Sequence, residues 1–223
     1  MPEDLSTKGL DVFPEYRNLA DLFREETDGL PQELWEWKLP EKSWGAWSIK
    51  EQISHTAWIP YLFFLEFWPP VLYPDSLPRD KFLADQGGAD RMLDPVRFPG
   101  ASDVLAALDD ACALCREVLS SETLATLRDK ELPRKYSPDR TWANGERVID
   151  YFQNLVLPAH ETGFRKDEND PYLYYQTLEC SFRHILWESY VHLITIQEFK
   201  RIKGLPIHST VPKDGYAAML IWE

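Results

Sequence analysis

Apolar residues recur at spacings of three and four along most of this chain, the pattern of helices that bury one face. Phe13, Tyr16, Leu19, Ala20 and Phe23 predict a first amphipathic helix over residues 11–27, ended near Gly29. Pro31 suits the first turn of a short helix, and Pro40 and Gly45 break the chain after it. Ser48-Ile49-Lys50-Glu51 reads as a capping box, with Ser at the N-cap and Glu three residues on. It opens a second helix to about Trp68 with Ile53, Thr56, Pro60, Phe63 and Phe67 on one face, kinked at Pro60, and with His55 two turns in. Ser102 is the expected cap of a third helix carrying Val104, Leu105, Leu108, Ala111, Cys112 and Cys115. A short extension from Ser121-Glu122 reaches about Lys130. Val148, Tyr151, Phe152, Leu155 and Val156 predict further helix within Thr141–Phe164, bent at Pro158.

The longest pattern is Thr177 to Pro206. Leu178, Phe182, Ile185, Ser189, His192, Ile196 and Phe199 form one stripe on a cylinder of about 3.6 residues per turn. Gly204 followed by Pro206 is a stop signal. Residues 69–100 hold six prolines and Gly87-Gly88 without a clear period, a connection long enough to be either a functional lid or a mobile excursion. After Pro206 only short apolar pieces remain, such as Ala217 to Trp222. There is no internal repeat, no glycine-rich phosphate loop and no strand-like alternation of any length. The expected fold class is therefore all-α: a four-helix bundle with accessory short helices and a long loop, in one domain over residues 1–223.

Charge narrows the function. The formal net charge is −13 with no basic run, which argues against nucleic-acid binding and against anionic membrane surfaces. The most apolar window, Ala57 to Tyr73, is broken by Glu66 and three prolines, too short and interrupted for a span of about 20 residues. The first residues lack the basic and apolar regions of a secretory signal. Three cysteines leave one unpaired in any disulfide scheme, so a cytoplasmic, reduced protein is the expectation. Cys112 and Cys115 form CxxC inside a helix rather than at a helix start, and read as small core residues.

The candidate chemistry lies on the longest helix. His192 sits on the apolar stripe, and Glu188 lies one turn earlier, about 40° round the cylinder. Groups four apart on a helix have Cβ atoms roughly 6 Å apart, the spacing that two ligands of one cation need. The structural alternative is that His192 is a hydrogen-bonded core residue and Glu188 the buried partner of Arg183, Lys200 or a second-helix side chain. His184 is rotated about 80° from His192 and is expected exposed or behind the stripe. His160, after the helix break, is expected at the surface, and His208 has no evident partner.

Two stretches together resemble the DinB-like, or YfiT-like, family of metal-binding four-helix bundles. In the first, Trp47, Ser48, Ile49, Glu51 and His55 fit W-S-I-x-E-x-x-x-H at the start of the family's second helix. In the second, the family's last helix ends H-x-x-x-H-x-x-Q-I, then an arginine and a terminal glycine. Counting back from Gly204, Arg201 and Ile196 fall in register, the second histidine lands on His192 and the first on Glu188. Residues 69–100 and 132–175 lie outside the resemblance. It implies that His55, Glu188 and His192 hold a divalent metal, zinc or nickel, in an open site. Glu188 in place of a histidine hardens the donor set towards iron or manganese, or marks a site that has lost its metal.

The family includes transferases for low-molecular-weight thiols such as bacillithiol and mycothiol, a thiol-dependent isomerase, and others labelled hydrolases. The resemblance thus implies a metal-dependent thiol transferase or hydrolase acting on a small-molecule substrate, with Trp44, Trp47 and Trp58 lining the pocket. The alternative is a non-catalytic bundle: a stress-response small-molecule binder, or a scaffold that forms a homodimer, with a degenerate site.

Overall fold

Local chemistry sets the helix ends in the computed structural model, which describes residues 3–222. The principal helices are α1 (Leu19–Thr27), α2 (Ile49–Tyr61), α3 (Ala101–Ser121), α4 (Leu124–Asp129) and α5 (Leu178–Ile202). Helix α2 starts as the sequence dictates. The Ser48 hydroxyl accepts from the Glu51 backbone N–H, and the Glu51 carboxylate accepts from the Ser48 N–H at 2.8 Å. Helix α5 ends on Gly204 at φ +67°. There Leu205 N–H reaches the Lys200 carbonyl at 2.9 Å and Gly204 N–H that of Arg201 at 3.0 Å, a complete Schellman stop. All seven residues of its expected stripe are buried.

Three helix boundaries differ from the periodicity. Residues 11–27 are not one helix: Gly9–Val12 is followed by a 3₁₀ turn at Pro14–Arg17 and then α1. Pro14 lacks the N–H that would continue the first turn, yet Phe13, Tyr16, Leu19, Ala20 and Phe23 all remain buried. Helix α3 begins at Ala101, with the Gly100 N–H held by Asp103 at 2.8 Å, so Ser102 is not its cap. The following helix is capped by Thr123 in a reciprocal pair with Thr126. Past Pro60, the helical run continues as a π-helical turn over Leu62–Phe67, the wider winding expected near a missing donor.

The chain divides into two compact units. One takes the chain up to Pro14 together with Val118–His184, and the other Glu15–Glu117 together with the chain from Ile185 on. The second unit carries the bundle, and hydrogen bonds tie its helices in a ring. Arg24 of α1 donates to Asp109 of α3 at 3.0 Å. Tyr61 of α2 donates to Asp110 at 2.8 Å and to the Ala107 carbonyl at 3.0 Å, both on α3. His192 of α5 bonds Gln52 of α2, and Lys200 of α5 donates to Glu26 of α1 at 2.5 Å. Cys112 and Cys115 are buried free thiols of α3. Burial pushes Cys112 up to about 12 and Cys115 higher than usual, so both sit in the core as protonated thiols.

The first unit corrects the sequence reading. It contains a three-stranded antiparallel sheet, in the order β1 (Glu131–Lys135), β3 (Leu173–Thr177), β2 (Phe164–Lys166). Its strands are three to five residues long, and Pro133 stands on an edge strand, where no ladder donor is required. Such strands are too short for alternation to register. Expected helix from Thr141 starts only at Val148, because Trp142 N–H pairs with the Glu146 carbonyl across a turn at Gly145, φ +83°. His160 and His184, expected outside the core, are both buried, with ring centroids 5.9 Å apart. The angle that set His184 aside is measured from the His192 stripe. Residues 178–184 pack in the other unit, where Leu178, Cys180, Ser181 and Phe182 are buried as well.

Candidate metal centre

Helices α2 and α5 bring His55, Glu188 and His192 together, all within the bundle unit. One ligand atom from each lies within 4.8 Å of the others. A Glu188 oxygen is 3.6 Å from His192 Nε2 and 3.9 Å from His55 Nε2, both beyond hydrogen-bond distance. His55 and His192 are buried, and Glu188 nearly so. His192 Nε2 is buried without a hydrogen-bond partner.

Bonding on the far side of each ring assigns its proton. His192 Nδ1 bonds the side-chain oxygen of Gln52. The Gln52 amide is oriented in turn by its NH₂ group, which donates to the Trp47 carbonyl at 3.1 Å and the Trp44 carbonyl at 3.4 Å. Its oxygen therefore faces the ring, and His192 Nδ1 is the donor. His55 Nδ1 donates to the Arg91 carbonyl at 2.5 Å. A neutral imidazole with its proton on Nδ1 presents its Nε2 lone pair towards the Glu188 carboxylate. Three acceptors converge, and a cation satisfies such a set directly.

Burial drives His192 well below its usual range, to about 4. The nearby His55 and Arg91 act in the same direction, and Glu188 opposes them. At neutral pH His192 is therefore an uncharged imidazole, the ligating form. Two imidazoles and a carboxylate form a recognised donor set for divalent ions, with bonds of about 2.0–2.2 Å.

The family model of the DinB superfamily matches residues 15–196. The chain belongs to the DinB superfamily. No curated protein and no solved structure matches it. The matched span of this DinB-superfamily chain contains all three residues of the cluster, the helix cap at Ser48, and the long connection after α2.

That connection is tied down over the site. Ser54 accepts from Leu93 N–H at 3.1 Å, His55 donates to Arg91, and Trp58 Nε1 donates to the Ala84 carbonyl at 2.9 Å. Three side chains within two turns of α2 thus grip residues 84–93, and Met92 and Leu93 are buried. Arg91 is the only described non-glycine residue at positive φ, +59°. Its unusual backbone is held at both ends, since its N–H also donates to the Gln86 side chain at 2.5 Å.

The aromatic lining is partly as expected. Trp47 stacks on His192, centroids 5.8 Å and planes 18° apart, and lies 4.8 Å from His55. Trp58 is 6.0 Å from His55. Trp44 packs on Phe199 and Trp222. The Arg91 guanidinium lies over Trp47 at 5.0 Å and pairs with Asp90 at 2.9 Å. Sequence reasoning passed over Gln52 and Arg91. Gln52 had a usable signal: three residues before His55, it shares that face of the helix. Arg91 had none, because its contribution is a main-chain carbonyl.

Two of the basic residues weighed as partners of Glu188 have carboxylate partners of their own. Arg183 pairs with Glu179 at 2.7 Å, and Lys200 with Glu26.

Proposed function

We propose that this chain is a divalent-metal-dependent enzyme of the DinB superfamily, with His55, Glu188 and His192 as its ligands. The reaction class that the family suggests is transfer of a low-molecular-weight thiol, or hydrolysis of a small substrate. The observation that carries the reading is the buried, unpartnered Nε2 of His192, facing a carboxylate and a second Nε2 lone pair. When bound, a divalent ion supplies Lewis acidity that lowers the pKa of a thiol or water and so yields a nucleophile at neutral pH. The protein's own residues do the rest. Gln52 and the Arg91 carbonyl orient the imidazoles, Glu188 offsets cationic charge, and Trp47 and Trp58 limit water at the cluster. The histidines favour zinc or nickel, while the carboxylate also admits manganese or iron.

Metal content of protein purified without an affinity tag tests this. About one equivalent per chain is expected, falling to near zero in His55→Ala with the helical circular-dichroism signal kept. Chelation of the wild type should lower Tm by several degrees and leave the helices formed, since four apolar faces already make a core. Absence of metal after incubation with zinc, nickel or manganese would overturn the proposal in favour of a non-catalytic binding protein.

A further inference from the structure

We propose that Gln52 is a positioning residue that selects the metal-ready tautomer of His192. The inference deepens the metal reading above and names a residue outside the ligand set. A buried neutral imidazole must put its single proton on one nitrogen, and the two choices here have opposite consequences. With the proton on Nδ1, His192 donates to Gln52, and Nε2 keeps its lone pair for a ligand bond. With the proton on Nε2, the ring would aim a donor at the Glu188 oxygen 3.6 Å away. A small side-chain movement would then close a neutral histidine–carboxylate hydrogen bond, and the cluster would satisfy itself without a cation.

Gln52 decides between these states because its own amide cannot turn round. It is 2% exposed, and both donors of its NH₂ face carbonyls, those of Trp44 and Trp47. A flip would set an amide oxygen against two carbonyl oxygens and lose both bonds, so only an acceptor is presented to His192. These carbonyls belong to the turn just ahead of the Ser48 cap. The device is therefore built from the segment that starts α2, and His55 is not part of it.

Long-range proton–nitrogen NMR of the histidine side chains in metal-free, isotopically labelled protein at neutral pH reads the tautomer directly. Wild type is expected to show His192 protonated on Nδ1. Gln52→Leu, which has no acceptor, should move the proton to Nε2 and weaken zinc binding by about 10- to 100-fold, the usual range for loss of such a supporting bond. Gln52→Glu retains an acceptor and should restore the wild-type tautomer. Protonation on Nε2 in the wild type overturns the proposal without any variant having to fold, and so does a Gln52→Leu protein with unchanged tautomer and zinc affinity. The expected tautomers in a protein that binds no zinc would support the role of Gln52 while sinking the metal-dependent function.

Discussion

Helix α5 carries two buried carboxylate clusters, and they are built in opposite ways. At its C-terminal end, Lys200 meets Glu26, which is wholly buried. That carboxylate accepts from Lys200 at 2.5 Å, Gln197 at 2.9 Å, the Ser209 hydroxyl at 2.7 Å, and the backbone N–H groups of Ser209 at 2.8 Å and His208 at 3.0 Å. Every neighbour is a donor. About three turns earlier, the Glu188 carboxylate lies 3.6 and 3.9 Å from two imidazole nitrogens, on rings whose Nδ1 atoms are hydrogen-bonded elsewhere. The first cluster is complete as it stands and fastens the segment after α5 to α1. The second brings two imidazole nitrogens and a carboxylate oxygen to within 4.8 Å of one another. A buried charge is tolerated when its surroundings answer it, and on the proposed metal reading the difference separates a structural pair from a ligand site.

The sharpest break of this contrast is Lys200→Met. Removing one partner of a buried pair strands the other charge, at a cost of about 3–5 kcal/mol. Urea unfolding of the variant should show a correspondingly lower midpoint with zinc binding retained. A loss below about 1 kcal/mol would mean that the Glu26 cluster is no structural anchor.

Acid gives the next largest effect. Burial alone would raise the Glu26 carboxyl, but the bonds from Lys200, Ser209 and Gln197 outweigh it and hold it at about 2, against 4.5 for the free group. A native pKa below the unfolded one adds stability that is fully present above pH 4.5 and is lost as pH falls towards 2. The contribution is about 3 kcal/mol by linkage. It should be missing from the acid limb of the stability profile in Glu26→Gln, measured by urea titrations across that range.

Both clusters were only half visible in the sequence, for reasons that differ. The stripe on α5, the cap at Ser48 and the CxxC in the core follow from spacing within one helix, which is local information. The pairing of Lys200 with Glu26 joins residues far apart in the chain, and no local pattern announces it. His55, Glu188 and His192 came together as expected because a family motif tied each to its helix. The sheet escaped because β2 is three residues long and β1 contains a proline. The cover over α2 could not be read because Arg91 and Ala84 act through main-chain carbonyls, which every residue type shares.

The smallest change in stability, and the most informative in chemistry, is expected for Glu188→His. Glu188→His exchanges one donor for another at a position that is 15% exposed, and stability should stay within about 1 kcal/mol of wild type. The same substitution at Glu26 would bury Lys200 without its carboxylate and cost several-fold more. Ligand preference should move at the same time. Imidazole is a softer, neutral donor than carboxylate, so a three-histidine set favours nickel and zinc over manganese. Competition titrations with the three ions should show manganese weakened relative to nickel by about tenfold or more, the direction fixed by donor softness. A stability loss near that of Lys200→Met, with no change in metal preference, would place Glu188 beside Glu26 as a second structural pair and remove the distinction between the two ends of α5.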